Sequence, residues 1–263
     1  LDSNNSGNTF NITFGTDTIT DLSTGDILVV SSGATANGTN ISNFVATNST
    51  TNGGVANLTA GDTGSTIILT NSLSGFYTIT GGSGIDNLTG GSGDDIIDGA
   101  GGNDNLIGGN GNDTFNITAG TDIISDITTG DILVVSSGAT ANGTNISNFV
   151  ATSSTTNAGF ATLTAGNSGS TITMTNSVSG AYTLTGGLGV DILTGDTDAD
   201  TLVGNGGDDV LDGGGGADII TGGTGADSLI GGDGNDVFKF NTNDIAVSES
   251  ITELNGEGSD PAF

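Results

Sequence analysis

Large apolar residues in this chain never gather into long runs. Between 81 and 116, and again between 186 and 239, one returns every nine positions. The first series is Leu88, Ile97, Leu106 and Phe115; the second is Leu193, Leu202, Leu211, Ile220, Leu229 and Phe238. Each is the middle residue of a three-residue stretch that follows six residues dominated by Gly and Asp. Six such residues predict a turn, and the three that follow predict a very short strand. Strand alternation points the large residue to one side and its two neighbours to the other. Outside these blocks, β-branched runs such as Ile27–Val30, Ile67–Thr70 and Tyr77–Thr80 lie between Gly, Asn, Asp and Ser, and also predict short strands. A 3.6-residue period surfaces only around Ile245–Leu254, where Ser248–Glu253 fits a short helix or a strand.

A longer period encloses the short one. Gly25–Thr47 recurs as Gly130–Thr152 without a single change, 105 residues on, and a looser match joins Asn11–Thr80 to Asn116–Thr185. This places a spacer at 1–80, a nonapeptide block at 81–116, a second spacer at 117–185, a second block at 186–239 and an acidic tail at 240–263. The chain opens in mid-pattern at Leu1 and reads as a segment or a processed form, part of an array. The spacers either continue a β-solenoid as irregular coils or form small β-sandwiches. Their short strands, with no dominant hairpin signal, favour the solenoid.

Composition sharpens this picture. Of 263 residues, 49 are Gly; Cys, His and Trp are absent. One large apolar residue in nine gives a core too thin to offset chain entropy alone, so an ordered state needs a repeated backbone geometry, a bound ion, or both. The acidic residues number 30 against one basic residue, Lys239, for a net charge of −29. Only Glu249, Glu253 and Glu257 among the acids are not Asp. Asp is a short, hard oxygen donor suited to turns, and Asp with Gly in phase suggests loops that hold hard cations.

That charge argues against nucleic acid and against direct membrane insertion, since little basic is left to meet phosphate. No apolar run of 18 residues occurs. Absent His and Cys leave the many Ser and Thr hydroxyls without an activating partner, so the chain is not expected to be an enzyme. Acid pairs such as Asp94–Asp95 read as solvated turn edges rather than glycosidase acids. Sequons at Asn11, Asn40, Asn57 and Asn145 are as frequent as chance allows in a chain this rich in Asn, Ser and Thr. Absent Cys fits an extracellular bacterial setting.

The first block reads GGSGIDNLT, GGSGDDIID, GAGGNDNLI and GGNGNDTFN; the second reads GGLGVDILT, GDTDADTLV, GNGGDDVLD, GGGGADIIT, GGTGADSLI and GGDGNDVFK. These resemble the G-G-x-G-x-D-x-U-x motif of the RTX (repeats-in-toxin) family. The resemblance implies an all-β parallel β-roll with two nonapeptides per 18-residue turn and several Ca²⁺ ions. It implies metal ligation by Asp86, Asp95, Asp104 and Asp113, and by Asp191, Asp200, Asp209, Asp218, Asp227 and Asp236. It also implies ligation by loop carbonyls, here Gly81, Gly90, Gly99 and Gly108, and Gly186, Gly195, Gly204, Gly213, Gly222 and Gly231.

Asp residues 18 apart would then stack about 4.8 Å apart, where two bare carboxylates repel by about 3.5 kcal/mol at an effective dielectric of 20. A cation between turns converts that repulsion into ligation, so binding and folding become one event. The loops that depart from the motif, at Ala100, Asp196, Asp198 and Asn205, are expected to hold weaker or distorted sites.

Similar RTX surface-layer and hemolysin-like proteins leave the cell by type I secretion and fold outside. The expected role is therefore a secreted structural repeat protein of a bacterial cell surface, of S-layer, fibre or sheath type. Self-association into an array or filament is expected, with a cell-surface polysaccharide as a second partner. The alternatives are an adhesin stalk and the C-terminal repeat region of a toxin or hydrolase.

Overall fold

A computed structural model describes residues 7–240 and 249–252. Among them are strands and turns but no helix, and every strand pairing is parallel. Two compact units, Leu1–Ile124 and Ser125–Phe263, divide the chain. Each is a β-solenoid in which successive short strands fall into different stacked rows.

In the first unit Thr9–Ile12, Ile27–Val30 and Thr51–Asn52 form one row. A second row runs Gly15–Ile19, Ala34–Ile41, Val55–Ala60, Tyr77–Thr80, Ile96–Asp98 and Thr114–Ile117. A third runs Asn43–Val45, Thr66–Ile68, Asn87–Thr89, Asn105–Ile107 and Thr121–Ile124. The second unit repeats the plan. One row there is Thr140–Ile146, Phe160–Ala165, Tyr182–Thr185, Thr201–Gly206, Ile219–Thr224 and Val237–Lys239. Another is Asn148–Val150, Thr171–Thr173, Ile192–Thr194, Val210–Asp212, Ser228–Ile230 and Ser250–Thr252.

The spacers thus continue the solenoid rather than forming sandwiches. What changes is coil length. In the blocks Asn87 pairs with Asn105 and Ile192 with Val210, 18 residues on. In the spacers Thr35 pairs with Val55 and Asn43 with Thr66, so those coils are longer. Most of the extra residues lie in the turns at 61–65 and 166–170, across which the offset between coils rises from 19 to 23, while bulges slip the register by one residue between Gly38 and Ile41 and between Gly143 and Ile146. Asn40 and Asn145 turn left-handed there, at φ 58° and 55°, a region Asn tolerates better than most residues.

The core is a ladder of single side chains from facing rows. Phe44, Ile67, Leu88, Leu106 and Ile124 stack in the first unit, and Phe149, Ile172, Leu193, Leu211 and Leu229 in the second, all fully buried. Nine of the ten apolar residues expected from the nonapeptides are fully buried; Phe238, in the last described nonapeptide, is only partly so. In the stretch left open between helix and strand, the described part contains the strand Ser250–Thr252. The rest of that stretch, and most of the acidic tail, lies outside the described residues.

Candidate metal centre

The ten nonapeptide aspartates are at most 2% exposed, an unusual place for acids in a chain with one basic residue. The turn before each strand aims them inward along the coil edge. Oδ1 of nine of them accepts a backbone N–H from the coil before it, while Oδ1 of Asp191 is buried without a hydrogen-bond partner. Asp86 N–H donates to Asp104 at 2.8 Å, Asp95 to Asp113 at 2.7 Å, and Asp191 to Asp209 at 2.8 Å. Asp209 donates to Asp227 at 2.8 Å, Asp200 to Asp218 at 2.7 Å and Asp218 to Asp236 at 2.9 Å. The four rows expected at 18-residue spacing are therefore present, and these bonds define them.

The second oxygen, Oδ2, has two situations, set by the residue at position 2 of the turn. Where that residue is not left-handed, its N–H reaches Oδ2. Gly82 donates to Asp86 at 2.7 Å, Gly91 to Asp95 at 2.6 Å, Gly187 to Asp191 at 2.7 Å and Asp196 to Asp200 at 2.9 Å. Where it is left-handed, the N–H turns away. Ala100 at φ 64°, Asn205 at 70° and Gly214 at 92° leave Oδ2 of Asp104, Asp209 and Asp218 buried and without a hydrogen-bond partner. Turns of the first kind begin each edge of each block; those of the second follow. A buried unpaired carboxylate oxygen is costly unless something cationic meets it.

Room for that cation lies against the position-1 glycine. A Cβ on Gly204 would strike Asp209 Oδ2 and the Gly222 carbonyl; one on Gly213 would strike Asp218 Oδ2 and the Gly231 carbonyl, the latter at 2.6 Å. The missing side chain leaves a hollow faced by a carboxylate oxygen and a carbonyl oxygen from the next coil. Gly99, Gly108, Gly204, Gly213, Gly222 and Gly231 all turn their carbonyls toward the preceding coil in this way. Gly81, Gly90, Gly186 and Gly195 begin their edges and have no repeat coil before them; the Gly186 carbonyl instead accepts from Asn205 Nδ2 at 2.8 Å. Among the described residues no three acids converge on one point, so any ion here takes the rest of its oxygens from backbone and solvent.

These hollows sit where known sequences carry a metal motif. The RTX calcium-binding nonapeptide repeat, as a four-copy family model, matches residues 80–115, 185–220 and 212–241. The two blocks are RTX repeats. No curated protein and no solved structure matches the chain.

Burial of the RTX aspartates carries an electrostatic cost. Desolvation lifts Asp95, Asp104 and Asp218 to about 6, and Asp200 and Asp209 to about 7, with neighbouring carboxylates adding to the rise. Either protons or cations can relieve this. A hard divalent cation fits the donor set, all oxygen and half of it anionic. Bound between RTX coils, Ca²⁺ would supply the positive charge that the sequence omits.

The departures from the motif resolve individually. Asn205 suits the left-handed position it occupies, and its turn has the same form as the glycine turns. Ala100 occupies the same position with a Cβ strain that Gly would not have. Asp196 keeps the N–H bond to Asp200, and its own Oδ1 accepts from Asp198 N–H at 2.8 Å.

Three buried acids outside the RTX match share these geometries. Asp122 accepts from Asp104 N–H at 3.0 Å. Asp26 accepts from Asn8 N–H at 2.8 Å and Ser23 N–H at 2.8 Å, and Asp131 from Thr128 N–H at 2.7 Å. The signal for Asp122 was legible as a lone Gly-Thr-Asp placed 18 residues after Asp104.

Proposed function

We propose that this chain is an extracellular, Ca²⁺-binding structural repeat protein of a bacterial cell surface, folding on Ca²⁺ after export. The observation that carries the calcium reading is the set of open turns. There, buried oxygens of Asp104, Asp209 and Asp218 have no partner, and the sequence offers no second cation after Lys239. Without Ca²⁺ the rows oppose burial; with it they cross-link successive coils, so the ion works as a folding switch. An extracellular setting follows from that switch, since a Ca²⁺-poor cytoplasm keeps the chain unfolded for export.

The surface role rests on architecture. The near-identical 105-residue units build two units of like design, and the sequence has no His or Cys to activate a Ser or Thr hydroxyl. Repeat coils of this sort serve as scaffold and self-associate into sheets, fibres or sheaths, with surface polysaccharide as an anchoring partner. Electron microscopy of the purified chain in millimolar Ca²⁺ tests this. Ordered sheets or filaments are expected; dispersed particles at high concentration would overturn the assembly role and favour a stalk or secretion aid.

A further inference from the structure

The 105-residue repeat places one stretch of sequence in two settings within the first unit. Thr114–Ile117 and Thr121–Ile124 are seated on nonapeptide strands. Thr114, Phe115 and Asn116 pair with Ile96, Ile97 and Asp98; Ile123 and Ile124 pair with Asn105 and Leu106. Thr114, Thr121 and Ile123 donate backbone N–H groups to the carbonyls of Asp95, Gly102 and Asp104. The same stretch stands 105 residues earlier as Thr9–Ile12, again TFNI, and Gly15–Ile19. There each strand ends its row among the described residues.

The face that is covered at 114–124 is open at 9–19. A Cβ on Gly120, at φ 85°, would strike the Gly102 carbonyl; one on Gly15, at φ 73°, meets nothing within 4 Å. Asp122 is fully buried, and its counterpart Asp17 is partly exposed. The turn between the two earlier strands holds Phe14, 82% exposed, where the later stretch has Ala119. An open strand edge is a template for another strand, and this edge has the sequence of one that a nonapeptide coil covers.

A second open edge stands in the second unit. Val237–Lys239 is the last nonapeptide strand and ends its row. Phe238 there is only partly buried, although Phe115, at the same point of its nonapeptide, is fully buried. Lys239, on this strand, is the one basic residue of a chain with net charge −29. Acidic surfaces of two chains repel, and this edge is where a positive side chain offsets that repulsion.

We propose that chains join head to tail, with Val237–Lys239 of one adding in parallel to Thr9–Ile12 of the next. The joint rests on the self-association read above and names the surfaces that make it. The pairing inside the first unit supplies the register. Phe238 aligns with Phe10 and Lys239 with Asn11, as Ile97 aligns with Phe115 and Asp98 with Asn116. The two edges are different surfaces, so each chain keeps one free and the joint propagates instead of stopping at a two-fold dimer. A nonapeptide strand that forms with its ion makes the joint dependent on Ca²⁺.

Disulfide trapping tests this, since the wild type has no Cys. Strands in register lie about 4.8 Å apart, within disulfide reach. The full chain with Asn11→Cys and Lys239→Cys, both at exposed positions, is oxidised in millimolar Ca²⁺ and run on a non-reducing gel. A ladder of linked multimers is expected. It should form roughly tenfold or more faster than for Ser49→Cys with Lys239→Cys, where Ser49 stands on an exposed turn. Each single variant should stop at the dimer, and chelator should remove the ladder. If the wild type sediments as multimers while the paired variant links no faster than the control, the joint is wrong and self-association stands. If the wild type stays monomeric at every concentration in Ca²⁺, both fall. Should the cysteine pair fail to fold by circular dichroism, Thr9→Pro decides. Pro at the first residue of the strand removes the N–H that corresponds to the Thr114 donor. Loss of multimers on sedimentation is expected; multimers equal to those of the wild type would overturn the joint.

Discussion

The backbone N–H of Asp191 donates to Oδ1 of Asp209 at 2.8 Å, joining one coil to the next through a side chain. The aspartate is thus a rung of the solenoid before it is a ligand. One oxygen fixes the coil spacing, and the other is left for the turn or for an ion. Stability and metal binding are consequently coupled at each rung, and the variants below separate them.

Removal of Ca²⁺ with a chelator is expected to unfold both nonapeptide blocks, and millimolar Ca²⁺ to restore a β-rich form. Circular dichroism across a Ca²⁺ titration reads this directly. A spectrum that does not change would remove the central claim.

Asp209→Ala breaks the Asp191–Asp209–Asp227 row at its middle. Ion binding on that edge should fall more than on the Asp200–Asp218–Asp236 edge, with stability lower by about 2 kcal/mol from the orphaned Asp191 N–H and lost ligation. Asp209→Asn keeps the acceptor and loses the charge, so it should spare more of the apo coil while still weakening Ca²⁺. Hydrogen exchange resolved by edge checks both; equal loss on the two edges argues against 18-residue stacking.

Acidity should substitute in part for calcium. Asp200 and Asp209 are raised to about 7 in the folded state by burial, above their unfolded values near 4. The folded state therefore binds protons more tightly, and the apo fold gains stability as pH falls. That gain is complete below about pH 4 and is lost as pH rises through 6 to 7. Ca²⁺ competes with the same protons, so its affinity should weaken over the same fall in pH. Apo circular dichroism at pH 5 and pH 8, with calcium titrations at each, tests the sign; an apo chain better folded at pH 8 contradicts it.

Ala100→Gly should stabilise the Ca²⁺-loaded protein by about 0.5–1 kcal/mol, since a left-handed Cβ costs about 1–2 kcal/mol and Gly gives part back in unfolded entropy. Asn205→Gly should shift stability by no more than a few tenths, because Asn adopts this conformation readily. Thermal melts at fixed Ca²⁺ compare the two, and a larger gain at Asn205 would refute the assignment of strain.

Gly204→Ala should cost about 3 kcal/mol or more, because the added methyl enters the hollow between Asp209 Oδ2 and the Gly222 carbonyl. Calcium affinity at that turn should drop with it. Wild-type binding in Gly204→Ala would show that the hollow is not where the ion goes.

Much of this was legible in the sequence. A nonapeptide with one apolar residue and one Asp in fixed phase specifies a turn, a three-residue strand and inward Leu, Ile or Phe, because strand alternation and glycine turns leave little else open. The parallel 18-residue coil and the four Asp rows came from the resemblance to the RTX roll, since a nine-residue phase does not fix how many repeats make one coil. Position-1 glycines show where the reading was incomplete. Their need for glycine comes from the lack of space beneath a neighbouring carbonyl rather than from a left-handed φ, and close approach between coils is invisible along one strand of sequence.

The sequence by itself determined the period, the buried apolar ladder and the acid-rich edges, since these depend on local geometry repeated in phase. Only the tertiary structure decided that the spacers coil on the same plan, because their coil lengths vary and longer turns absorb the difference. It also decided which turns leave Oδ2 open and that Asp122 joins Asp104. Both depend on which backbone lies one coil away, a relation set by stacking and not by the residues of any one turn.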